Sequence, residues 1–131
     1  MKIKTSDLIG RALDWAVVIA FGWKWKVEKG KIIIARPTKK TYIREPFETL
    51  KLSNFPASRN WSFCGPIIEK EWISVRNQDD KWFAQIADDV PDGYHQAEGS
   101  TPLIAAMRCY VASKLGDEIE VPDELCNKKG E

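Results

Sequence analysis

Covalent catalysis needs a nucleophile with a base in reach, and metal chemistry needs clustered His, Cys or carboxylate ligands. The 131-residue sequence has a single histidine, His95, in a polar stretch. Its three cysteines, Cys64, Cys109 and Cys126, show no ligand spacing, and an odd count argues against a disulfide framework. Asp88, Asp89 and Asp92 could hold a cation, but the set is thin and a solvated loop is the favoured reading. Asp79-Asp80 reads as a turn. These residues lead us to expect no catalytic activity, no metal site and no cofactor.

Two other stretches carry binding chemistry. Trp61 to Glu69 combines an indole, a Gly65-Pro66 bend and the Glu69 carboxylate, outside any evident strand. An indole stacks on a base and a carboxylate accepts from base or ribose. Ser100 and Thr101 stand at the start of a helix whose first N–H groups can hold an anion, and Arg108 lies two turns further on. Trp61, Gly65, Pro66, Glu69, Ser100, Thr101 and Arg108 are therefore the candidate ligand-binding residues. The alternative for each is structural: Trp61 and Pro66 pack the bend down, Glu69 pairs with a base, and Arg108 lies beside an alanine packing seam.

The element that must position them runs from Thr101 to Gly116. Thr101 is the N-cap, Pro102 occupies the first position where its missing N–H costs nothing, and Gly116 closes the end. Ile104, Met107, Val111 and Leu115 form the expected core stripe, with Thr101, Ala105, Arg108 and Ala112 beside it. An earlier helix is expected over about Ser6–Phe21, ended by Gly22. Its Ala12, Ala16 and Ala20 suit close packing on that second stripe. Trp23–Val27 and Lys31–Ala35 read as a hairpin with tryptophans on one face and lysines on the other. Strands are also expected near Trp72–Val75 and over Lys81–Ile86, and Met1–Thr5 can add an edge strand through Ile3. Arg36–Arg59 and Asp88–Ser100 read as loops. The expectation is an α+β fold in the order α-β-β-β-β-α: a four-stranded antiparallel sheet flanked by two helices, sandwich-like and without internal repeat.

One domain over residues 1–116, followed by an acidic tail over 117–131, fits this length. Ile119, Val121 and Leu125 could dock that tail. With 44% hydrophobic and 30% charged residues the chain reads as globular, and its net charge of +1 excludes a uniformly basic coat. The charge is uneven, with residues 23–44 basic, and residues 66–100 and the tail acidic. No membrane span or secretory leader is evident, so a reducing cytoplasm is expected.

Three passages resemble the NinX-like family of small proteins from the nin region of lambdoid phages. They are Ala12-Leu13-Asp14-Trp15-Ala16-Val17, the run Pro56–Glu69, and Thr101–Arg108 continuing through Val111–Gly116 to Val121-Pro122. The chain departs from the family pattern at Ala57, and at Cys64, which replaces a glycine. The resemblance implies a phage accessory protein of the infected bacterial cytoplasm, dispensable for building virions. In that setting a nucleotide pocket suggests sequestration of a nucleotide-type bacterial immune signal. The alternative is an interaction module that inhibits a host or phage protein. Nucleic-acid binding through the basic hairpin ranks third, because alternation puts its aromatics and lysines on opposite faces. Pairing of copies through the alanine seam is also expected.

Overall fold

The computed structural model describes residues 1–37, 47–87 and 93–126. Its elements in chain order are β1 (Lys2–Lys4), α1 (Gly10–Ala20), β2 (Lys24–Glu28), β3 (Lys31–Pro37), β4 (Phe47–Lys51), α2 (Trp61–Lys70), β5 (Ser74–Gln78), β6 (Lys81–Ala87), β7 (Tyr94–Gly99), α3 (Pro102–Leu115) and β8 (Glu118–Glu120). Single 3-10 turns lie at Thr5–Asp7, Leu52–Asn54, Ala57–Arg59 and Asp123–Leu125.

The fold is α+β as expected, but among the described residues the strands form three sheets rather than one. They run β1-β8, β2-β3-β4 and β5-β6-β7, and every pairing is antiparallel. The expected α-β-β-β-β-α order fails because β4 and β7 lie inside stretches read as loops. The supposed Trp61–Glu69 bend is a helix. Asn60 caps it, its side chain accepting from the Phe63 N–H at 3.2 Å. Gly65 and Pro66, which read as a break, sit inside its second turn.

The chain repeats itself in structure, contrary to the sequence expectation. Helix, tight turn, strand, two-residue turn, strand, connection and strand occur twice. Lys24 and Lys31 begin β2 and β3, and Ser74 and Lys81 begin β5 and β6, a constant offset of 50. Each hairpin turns on two residues of positive φ, Lys29-Gly30 (52° and 74°) and Asp79-Asp80 (54° and 62°), the geometry that matches strand twist. Each first helix ends on the same double bond. Gly22 N–H donates to Ile19 and Trp23 N–H to Val18, while Trp72 N–H donates to Glu69 and Ile73 N–H to Ile68.

Helix α3 serves both units. It lies across β5, β6 and β7 and also packs on α1, as the facing alanines led us to expect. Thr101 caps it, accepting from the Ile104 N–H at 3.1 Å, and Gly116 (φ 95°) closes it. The single-stripe expectation is too narrow. Leu103, Ala105, Ala106, Met107, Cys109, Tyr110 and Val111 are all buried, because α3 is covered from two sides. Around it Leu13, Ala16, Val17, Val18, Ile34, Cys64, Ala84 and Val121 complete one continuous core. The segment read as a tail supplies β8, and Val121 and Leu125 are buried.

Candidate functional site

The residues singled out from sequence divide between two elements. Trp61, Gly65, Pro66 and Glu69 belong to α2, with Trp61 57% exposed and Pro66 and Glu69 on solvent. None of them lines any of the three clefts described below. Ser100 and Thr101 are exposed at the start of α3, where Thr101 is used as the cap. Gly99 approaches that first turn so closely that a Cβ would stand 2.7 Å from the Ala105 nitrogen. Of the seven, only Arg108 enters a cleft.

That cleft has a volume of about 630 Å³, within the range of ligand sites, and runs between β1, the start of β7 and the outer side of α3. Lys4, Thr5 and Ser6 form one side, Tyr94, His95, Gln96 and Ala97 another, and Arg108 and Ala112 the helix side, with Asp117 and Glu118 at the end. Tyr94 is 56% exposed. A second hollow of about 590 Å³, lined by Ser6, Asp7, Phe83, Gln96, Ala97 and Glu98, shares Arg108 with the first.

Arg108 is also a strut. Its Nε donates to the Leu8 carbonyl at 2.7 Å and its Nη1 to the Glu98 carbonyl at 2.8 Å. One side chain thus ties the entry of α1 and the end of β7 to α3. Burial lowers its affinity for the proton, while Asp7 and Glu98 act in the opposite direction.

The passages carrying the family resemblance turn out to be stitched to one another. Asp14, only 3% exposed, accepts from the Ser58 N–H at 2.8 Å and from the Ser58 hydroxyl at 2.5 Å, across 44 residues. Burial raises the Asp14 carboxyl above the usual carboxylate range, and the two Ser58 bonds oppose the shift. Asp14 is therefore a buried acceptor rather than a solvated charge. Trp15 is buried and meets Trp25 edge-on, ring centroids 5.3 Å apart. Cys64, inside α2, donates its thiol to the Ala57 carbonyl at 2.9 Å. A helical site needs no left-handed residue, so cysteine in place of the family's glycine fits.

All three cysteines are free. Burial pushes the Cys64 thiol up to about 12 and the Cys109 thiol up to about 11, which removes both as thiolate nucleophiles at neutral pH. Among the described residues no group of three or more His, Cys, Asp or Glu could hold a metal ion. The Asp88, Asp89 and Asp92 set lies outside the described residues. No described helix is long and apolar enough to cross a membrane.

Sequence reasoning missed Lys4, Ser6 and Tyr94, because the groove appears only once β7 is known to pair with β6 and β1 with β8. It also missed Trp72. This residue is 87% exposed and held at φ 55°, where the first unit has Gly22.

Fold and site together define a small α+β protein of two αβββ units sharing a final helix, with a mixed-charge groove along that helix. The family described as Bacteriophage P22, NinX matches residues 4–114. The chain belongs to this family of phage proteins. A search of curated proteins finds no match.

Proposed function

We propose that the protein is a phage accessory protein that works by binding, and that it sequesters a nucleotide-type signal in the groove beside α3. The observation that carries this reading is the grouping of Lys4, Arg108 and an exposed Tyr94 around one cleft of about 630 Å³. Lysine and arginine take up phosphate charge, the phenol ring stacks on a base, and Asp117 and Glu118 can accept from base or ribose. The stacking role expected of Trp61 passes to Tyr94, and Arg108 keeps the role that the sequence suggested. Tight binding suffices for sequestration and calls for no nucleophile.

Calorimetry against mono-, di- and cyclic oligonucleotides and ADP-ribose-type compounds tests it. Binding should weaken about tenfold or more in Lys4→Glu, which loses a charge-assisted contact, and in Tyr94→Ala, which loses the stacking ring, and stay unchanged in Trp61→Ala. Absence of heat with every nucleotide overturns the reading.

A second reading, an inhibitor that docks on another protein, is favoured by Trp72. An indole held in a left-handed turn and turned to solvent is costly, and tryptophan is the commonest anchor of protein interfaces. Pull-down from infected cells with wild type and Trp72→Gly tests it. A stoichiometric partner lost only in the variant supports this reading, and a partner retained by both removes Trp72 from it.

A further inference from the structure

The outer face of β2-β3-β4 carries a charge pattern that the fold does not require. Alternation sends Ile32 and Ile34 into the core, and leaves Lys26, Glu28, Lys31, Ile33 and Lys51 facing outward. Lys26 and Lys51 stand opposite Ile33 on either side, so an aliphatic floor lies between two ammonium groups. Lys29 adds a charge in the turn, and together these residues line a shallow hollow of about 400 Å³. Among the described residues Glu28 is the one acid there, and it sits 3.2 Å from Lys26.

The second unit provides an internal control. At the same register its outer face has Phe83 where the first has Ile33, Arg76 where the first has Lys26, and Lys81 where the first has Lys31. Its turn, however, is Asp79-Asp80 in place of Lys29-Gly30, and Glu98 of β7 lies opposite Phe83. Lys81 approaches Glu98 at 4.0 Å, so the charge of that face is internally compensated. The same scaffold therefore forms without a lysine surplus. The surplus on the first face needs another explanation.

We infer that this face binds the phosphate backbone of a nucleic acid, without reading its sequence. Among the described residues every cation lining the hollow is lysine, a hydrated point charge on a flexible stem, which suits sequence-independent neutralisation of spaced phosphates rather than bidentate recognition of one fixed group. The tryptophans lie on the opposite side, Trp25 against Trp15, so the described side chains of this face offer no base-stacking platform. What remains is charge over a smooth floor, which suits duplex backbone. This site is separate from the groove beside α3 and does not depend on the reading proposed for it.

Fluorescence anisotropy of the full chain with a labelled mixed-sequence duplex tests the inference. Four lysine contacts predict a slope of log K against log salt of about −3.6, so binding falls on the order of 10²-fold between about 50 mM and about 200 mM salt. Lys51→Gln and Lys31→Gln should each make the slope shallower by about 1, and Lys26→Glu/Lys51→Glu should abolish binding. Glu28→Gln should tighten it. All these positions are exposed, and unchanged thermal unfolding of each variant separates lost contacts from lost fold. No binding at the lowest salt, or a slope untouched by Lys51→Gln, overturns the inference. Equal competition by polyglutamate also overturns it and assigns the face to an acidic protein.

Discussion

Removing the Arg108 guanidinium separates a strut from a ligand anchor. In Arg108→Met the Leu8 carbonyl, partly buried, loses a charge-assisted donor at 2.7 Å, and the exposed Glu98 carbonyl loses one at 2.8 Å. The first bond is worth about 1.5–3 kcal/mol, while water replaces most of the second, leaving about 0.5 kcal/mol there. The sum is about 2–3.5 kcal/mol. For a domain of this size each kcal/mol moves Tm by roughly 3–5 °C, so the midpoint should fall by roughly 6–18 °C. Arg108→Lys keeps the charge but reaches only one of the two carbonyls, and should fall about halfway between. Both acceptors are neutral, so the deficit should persist when salt is raised, unlike that of an ion pair. Differential scanning calorimetry of the three proteins, without added ligand, is the assay. A midpoint for Arg108→Met within about 1 °C of wild type would refute the strut and leave the guanidinium to the groove alone.

Further expectations concern the same framework. Asp14→Ala leaves the buried Ser58 N–H and hydroxyl without their acceptor and should cost about 2–4 kcal/mol in urea unfolding. The native Asp14 carboxyl is raised above its unfolded value, so ionisation opposes folding at neutral pH; that opposition is relieved as pH falls through the raised value and is gone below the unfolded one. Wild type should therefore gain on Asp14→Asn as pH drops from about 7 towards about 4, and a constant difference would contradict the assigned burial. Trp72→Gly relieves a left-handed indole and should stabilise by about 1 kcal/mol, as measured by denaturant midpoint; a loss would mean that the ring packs on something. Gly99→Ala drives a Cβ against the Ala105 nitrogen and should destabilise by about 1–3 kcal/mol in the same measurement.

Local signals with a direct backbone cause were legible in the sequence. Thr101, Pro102 and Gly116 delimit α3 because a cap, a missing N–H and a positive φ act within one turn. The two hairpins announced themselves by alternation around short polar turns. Helix α2 did not, because Gly65-Pro66 reads as a break. Only Asn60 before it and the packing of Cys64 and Ile67 beneath it carry the helix across. Strand β7 was hidden because Tyr94-His95-Gln96-Ala97-Glu98-Gly99 buries Ala97 alone, and its identity comes from pairing with β6. The duplication left only a faint trace in residue types: Lys31 and Lys81 coincide, but the positive-φ position that ends each first helix is Gly22 in one unit and Trp72 in the other. The groove was half visible. Arg108 could be named from its isolation among small residues, but Lys4 is brought to it by the pairing of β1 with β8 from the other end of the chain, and Tyr94 by the pairing of β7 with β6.

The double service of α3 decides how the molecule comes apart. The second unit owns two helices, α2 and α3, whereas the first has only short 3-10 turns where a closing helix would stand, and borrows α3 through α1. A fragment stopping at Arg59 would strand the apolar side of α1 in water, so the earlier half has no independent existence. The halves are therefore expected to melt together as one cooperative body. Any ligand gripping the side of α3 would steady the distant lysine-bearing sheet along with the helix that it touches.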